Sequence, residues 1–421
     1  MVTAKTESSF RARLTAADPG LLRMAAGLRA VLGLTLTLAA LTALGEPAVV
    51  VLGGGFMAVV TSLASSDPHP RNQLRTLLAG APVALAALTA GGLLAPYALA
   101  SRLAFLPLIF AAVYVRRFGR RGQDLGIYAF MAYFLTQFAA VSAGQLPQLA
   151  VALAVSFTAA TLTRLVLVPV TSYGILTRLG AAFEVRLRDA QRATADLRAV
   201  SPHDTRRRRR RTERRLERRL KSLRSSERLL RDFLDEAPST RRRSTHPRSV
   251  PSSRCTTRQA WQVTAAAALA MLGGHLISPH LWYWAVVTAW VVFVNAEHTG
   301  DVVRQSGRRL VGTVAGVPFG YGLAALAAGH SRFLGLAFLL ACVFGVFSTP
   351  SSHYWAVTFF LTGSLCMVLA LLGTLSPLLL SLRVQETALG AGCGALAALL
   401  GTCDVRAGRA VTAPAVGRCS A

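Results

Sequence analysis

The stretch RRRRRRTERRLERR, residues 206–219, decides how the rest of the chain is read. A single arginine near the middle of a bilayer costs about 2.5–3.5 kcal/mol even on lenient insertion scales. A run this dense must therefore lie in water, and with the triplet Arg241–Arg243 it keeps the whole segment 170–258 out of the membrane. On either side stands a block composed almost entirely of apolar spans. The order is membrane half, basic segment, membrane half.

Composition supports that order. The chain has 421 residues, of which 53% are hydrophobic and 15% charged, with a mean hydropathy of +0.45. Soluble domains carry about 25% charged residues, so the deficit points to a multi-span membrane protein. The net charge of +27 would suit a nucleic-acid binder. The charges, however, sit in the central segment and in short links beside apolar spans, as topogenic charge does. No aromatic residue falls between Arg186 and Arg231. Base stacking has no support there, and no specific nucleic-acid partner is expected. Lys5 and Lys221 are the only lysines, a bias that reads as codon usage rather than chemistry.

The six cysteines show neither CxxC nor Cys/His metal spacing, so no metal, cofactor or disulfide framework is expected. No P-loop, GxSxG or HExxH motif is present, and the chain is not read as an enzyme. Gly53–Gly55 falls within an apolar span, where close helix packing accounts for it. The segment Met24–Leu44, preceded by Arg23, resembles a signal peptide but is long enough to span, and it is expected to be retained.

The expected fold class is all-α integral membrane, with about 12 transmembrane helices as two parallel six-helix repeats around a basic cytosolic helical insert. Residues 1–23 are assigned to a cytosolic N-terminus and 24–169 to the first half, with spans near 24–44, 48–66, 76–95, 100–115, 125–143 and 147–168. Residues 170–258 form the basic segment and tether. Residues 259–403 form the second half, with spans near 260–278, 281–296, 310–328, 333–349, 354–375 and 387–403, and 404–421 form a cytosolic tail. Arginine-rich links recur at every second position in the first half (Arg71 and Arg75, then Arg116–Arg121), which places the N-terminus inside. In the second half Arg332 and Arg383 fall on the outside in this register.

The halves resemble each other. Pro82 follows Ala-Gly-Ala as Pro318 follows Ala-Gly-Val, and Tyr128 precedes Phe-Leu-Thr at the same spacing as Tyr354. Transporters often place the substrate path between such repeats. Between the halves, Leu216, Leu220 and Leu223 continue to Leu230 and Leu234 as a heptad-like stripe, and Leu176–Leu197 trace another helical face. The two read as a hairpin joined through 201–211, with 237–257 as a flexible tether.

Two constellations stand out. Trp282-Tyr283-Trp284, followed by Trp290, reads either as an aromatic belt at the membrane interface or as a stacking wall for an aromatic substrate. The link after that span carries Glu297, His298, Asp301, Arg304, Arg308 and Arg309, then Gly312, Thr313 and Gly316. One reading is a charged turn whose salt bridges orient two helices. The other is an inner mouth where Arg304, Arg308 or Arg309 captures an anion through the planar guanidinium fork, while Glu297 or His298 exchanges protons. Arg29 and Arg164 lie near span ends and can snorkel. No acidic residue is placed at mid-bilayer.

Trp284-Ala285 before a charged link, then Arg309-x-x-Gly312-Thr313-x-x-Gly316, resembles the fusaric acid resistance family of integral membrane transporters. Arg383-x-x-Glu386-Thr387-x-x-Gly390 is similar to that family's later arginine, acidic and glycine signature. The first half departs from the pattern, with Gln73 where the repeat would place Arg309. The resemblance implies efflux of small aromatic carboxylic acids. Substrate-binding candidates are Arg309, Arg308, Arg304, Glu297, His298, Trp284, Arg383 and Glu386; packing candidates are Gly312, Thr313, Gly316, Pro318, Pro82 and Gly390.

The leading expectation is therefore a plasma-membrane exporter of small, aromatic organic anions that confers resistance, with the lipid bilayer as its other partner. A homo-oligomer stays open. A passive anion channel or permease is the alternative, and a membrane-anchored scaffold with a polybasic segment is the third. Cysteine-accessibility labelling is expected to place positions 116–121 and 206–211 on the same face of the membrane, and opposite faces would overturn the topology.

Overall fold

Uncharged apolar stretches bounded by Pro, Gly and Ser become helices closed at both ends by local devices. Ser331 accepts a hydrogen bond from the Leu334 amide at 3.2 Å, and Ser376 does the same for Leu379 at 3.2 Å, with Pro377 in the first helical position. Gly45, Gly119 and Gly373 take positive φ (74°, 83° and 71°) where the chain leaves one element for the next. The computed structural model describes residues 22–64, 70–169, 172–199, 253–294, 296, 299–350 and 353–400, with scattered positions between 210 and 231.

Among the described residues there is no strand. The helices are α1 (Leu22–Ala43), α2 (Ala48–Ala64), α3 (Pro70–Leu94), α4 (Ala98–Tyr114), α5 (Arg120–Phe138) and α6 (Leu146–Leu162), which continues as a π turn through Thr163–Leu167. After α7 (Ser172–Arg198) follow α8 (Ser253–Ile277), α9 (Tyr283–Val294), α10 (Thr299–Ala328), α11 (Arg332–Ser348), α12 (Tyr354–Leu371) and α13 (Pro377–Leu400). Among the described residues 7 helical stretches are long and apolar enough to cross a membrane: 22–43, 71–94, 98–118, 143–167, 256–277, 300–328 and 354–371. Helices α2, α9 and α11 are apolar but shorter. Helices α5 and α13 carry charge, Asp124 in one and Arg383 with Glu386 in the other.

The order of packing recurs. Within the first set α3 packs on α5 and α6, α4 on α5, α1 on α2 and α6, and α2 on α6. Within the second set α10 packs on α12 and α13, α11 on α12, α8 on α9 and α13, and α9 on α13. Across the sets α1 meets α11 and α4 meets α8.

Two expected spans begin in the wrong place. Helix α10 starts at Thr299 rather than near 310, so Arg304, Arg308 and Arg309 are helix residues and not a link. Helix α13 starts at Pro377 rather than 387, so Arg383 and Glu386 lie within it. In both cases charge was taken as a sign of water, whereas Arg309, Arg383 and Glu386 are buried by protein, where lipid is not the solvent. Arg164 likewise does not snorkel: it is buried, with Nη2 donating to the Thr61 carbonyl at 2.6 Å.

Trp282, Tyr283 and Trp290 are buried rather than set in an interface belt. Trp290 stacks on Phe130 at 4.0 Å between centroids, Phe130 on Phe105 at 5.2 Å, and Trp282 meets Phe105 edge-on at 6.1 Å. Rings of the second set thus close on rings of the first, joining the two through aromatic contacts worth about 0.5–1.5 kcal/mol each beyond burial. Arg116 strengthens the same junction by donating to the Val294 carbonyl at 2.9 Å, at the C-terminal end of α9, where cations are favoured.

In the basic segment Arg219 reaches Asp189 of α7 at 2.7 Å, and the described positions after 210 are helical. Residues 201–209, the tether 237–252, the N-terminal 1–21 and the tail 404–421 lie outside the described residues.

The tightest seam lies between α10 and α12. A Cβ on Gly312 would overlap the Thr358 hydroxyl and the Trp355 carbonyl, one on Gly316 would sit 2.8 Å from the Phe359 carbonyl, and one on Gly320 2.7 Å from Cys366 Cβ. Small residues every fourth position let helix backbones touch inside a bilayer. Gly312→Val is therefore expected to cost at least the ~1–3 kcal/mol of ordinary overpacking. Gly322→Val, at a position with no neighbour within 4 Å, is expected to leave melting in detergent unchanged.

Candidate functional site

Arg383 and Glu386 stand three residues apart on α13 and therefore on one helical face, followed on that face by Thr387 and Gly390. That face turns inward: Glu386 is 0% exposed, Thr387 0% and Arg383 8%. Gly390 makes the approach close enough, since a Cβ there would overlap the Ala285 carbonyl of α9 and sit 2.8 Å from Thr288. Helix α8 presses from another side, with Glu386 Oε2 2.9 Å from where a Cβ on Gly274 would stand.

Arg309 arrives from the other direction. It lies ten residues, roughly 15 Å, along α10, and Glu386 lies nine residues, roughly 14 Å, along α13. Arg309 is 3% exposed and donates through Nη1 to the Tyr354 hydroxyl at 3.4 Å. Arg383 lies near enough to Arg309, Glu386, Tyr283 and Cys366 to interact electrostatically with all four. Its guanidinium covers the Trp284 ring at 3.6 Å from the centroid, a cation–π contact that holds the planar group in place. Two cations and one anion thus share an interior site.

The hydrogen bonding of this site is incomplete. Among the described residues Arg383 Nε and Nη1, Arg309 Nε and both Glu386 carboxylate oxygens have no hydrogen-bond partner, and neither has Thr288 Oγ1 or Trp290 Nε1 on α9. Glu386 forms no ion pair with either arginine. Taking an ion out of water costs several kcal/mol even after relaxation, and incomplete bonding leaves that cost standing. Such groups inside a membrane mark a path or a binding site.

The structure brings together Arg309, Arg383, Glu386 and Trp284. It does not bring Arg304 to them: Arg304 pairs with Asp301 of its own helix at 3.7 Å on an exposed face, so this salt bridge does not orient two helices. Arg308 is half-buried. Glu297 and His298 lie outside the described residues. Gly312 and Gly316 form the α10–α12 seam with Thr313 buried beside it, while Pro318 and Pro82 lie inside α10 and α3. An acidic group deep in a helix, which no span was expected to hold, is present as Glu386.

Tyr354 and Thr288 lie at the site and were not singled out for it, whereas Tyr283 was named there as part of the aromatic run. The signal available for Tyr354 was its pairing with Tyr128 in the repeat. In the first half Tyr128 hydrogen-bonds Arg164 and Asp124 interacts with the same guanidinium, with Gln73 buried as well. Each repeat tyrosine thus accompanies one buried arginine.

Residues 265–397 match the family model described as fusaric acid resistance protein-like. The resemblance drawn from Arg309, Gly312, Thr313 and Gly316, and from Arg383, Glu386 and Gly390, is borne out, and all of these residues fall within the matched stretch. No curated protein and no solved structure matches the chain. The family and the apolar helices together suggest a multi-pass membrane transporter.

Removing one charge of a buried set is costly, whereas removing both of an opposite pair is often neutral or stabilising. Glu386→Gln alone, which leaves two buried cations with no anion beside them, is expected to lower stability in detergent by about 3–5 kcal/mol, and Arg383→Met/Glu386→Gln, which leaves one, to restore part of it. A double variant no more stable than the single one would contradict this account.

Proposed function

We propose that this protein exports small organic anions, aromatic carboxylates foremost, across the plasma membrane and thereby confers resistance to them. The observation that carries the reading is Arg383, buried with its guanidinium over Trp284, and Arg309, buried near it, each with a guanidinium N–H that no described residue accepts. A guanidinium presents parallel donors that match the two oxygens of a carboxylate. The rings of Trp284 and Tyr283 give the same site an aromatic surface. Outward movement of an anion from an inside-negative cell is favoured by about 2.3 kcal/mol per charge per 100 mV, so the potential itself drives export.

The wider organisation proposed with it has twelve membrane helices in two parallel six-helix repeats, the basic segment and both termini in the cytosol. The recurring packing order of α1–α6 and α8–α13 supports the repeat, and the alternation of arginine-rich links supports the orientation. The site then lies in the second repeat, against the first.

Inside-out vesicles given labelled benzoate should take it up when the parent protein is present. Arg309→Ala and Arg383→Ala should each reduce that uptake at least about tenfold, the loss of one charge-assisted hydrogen bond to a carboxylate. Equal uptake by the parent, both variants and protein-free vesicles would end this reading.

A further inference from the structure

The charges in this interior can be read as a filter. Helices α8, α9 and α10 pack against α13, and α12 packs against α10. Of the charged residues these five helices carry, Arg309, Arg383 and Glu386 lie within the site. Asp301 and Arg304 pair on the exposed face of α10, and Arg308, the residue before Arg309, is half-buried. Arg258 lies near the start of α8, and His275, next to Gly274, is exposed. The remaining titratable neighbours, Tyr283, Tyr354 and Cys366, are neutral as hydroxyls and thiol. With Glu386 ionised the site is one negative charge short of neutrality.

We propose that Glu386 sets the charge class of the solute: with its carboxylate in place the site accepts monovalent anions and rejects both neutral analogues and dianions. This rests on the reading of the arginine pair as the anion site. One solute carboxylate completes two guanidinium–carboxylate sets and leaves no net charge in a low-dielectric interior, where an uncompensated charge is most costly. A second carboxylate on the same solute would have to be buried against Glu386, whose oxygens already lack donors. A neutral amide would leave the excess positive charge in place.

The charge of Glu386, rather than its shape, does the sorting. Replacing it with glutamine keeps the volume that Gly274 makes room for and turns a site of one excess positive charge into one of two. Neutrality then calls for two carboxylates on the solute.

Binding to purified full-length protein in detergent, at a pH where all carboxylates are ionised, tests this with benzoate, isophthalate and benzamide as probes. The parent is expected to prefer benzoate over both others by at least about tenfold, and Glu386→Gln to shift the isophthalate-to-benzoate ratio at least about tenfold toward isophthalate. A parent that binds isophthalate as well as benzoate overturns the proposal without reference to any variant. A folded Glu386→Gln protein that keeps the parent's ratio, or binds neither acid, overturns it as well. A parent that binds none of the probes removes the anion site itself, and this inference with it.

Discussion

The structure turns on one constraint: charge can enter a membrane only where protein, not lipid, surrounds it. Arg309, Arg383 and Glu386 satisfy that condition because neighbouring helices close over them, and the closeness depends on residues without side chains. Gly390 lets α13 touch α9, Gly274 leaves room for the Glu386 carboxylate, and Gly312, Gly316 and Gly320 bring α12 against α10 so that Tyr354 reaches Arg309. A bulkier residue at any of these points would separate the helices and open the charges to lipid.

The aromatic residues serve that constraint in a second way. Trp284 holds the Arg383 guanidinium by its ring face, and its neighbours Trp282, Tyr283 and Trp290 pack against Phe105, Phe130 and Phe134 of the other helix set. The wall behind the site is therefore built from both halves. In the first half the buried arginine, Arg164, is engaged by Thr61 and Tyr128, while its Nη1 has no partner among the described residues. In the second, Arg383 and Glu386 keep polar atoms that no described residue satisfies. Among the described residues the second set thus leaves more of its buried polar atoms unsatisfied, five on Arg309, Arg383 and Glu386 against one on Arg164.

Much of this was legible in the chain. Apolar length located every helix of the two sets, and Pro82 and Pro318 sit inside α3 and α10, which pack alike. The arginine and glycine pattern between Arg309 and Gly390 pointed to the family, which the match over 265–397 bears out. The starts of α10 and α13 were misread because a charged residue near a span was taken to mark its end. A local signal for α13 was nonetheless present in Ser376-Pro377, a capping residue followed by the proline that favours a first turn.

By itself the sequence determined that this is a helical membrane protein interrupted by a basic segment, because insertion energies are additive along the chain and need no knowledge of neighbours. Only the tertiary structure decided that Arg304 faces outward while Arg309, five residues on, is buried near Arg383, which itself lies over Trp284 and near Glu386. The reason is that burial of a charge depends on which helix covers it, and α8 and α9, well before α13 in the chain, close over the face that carries Arg383 and Glu386.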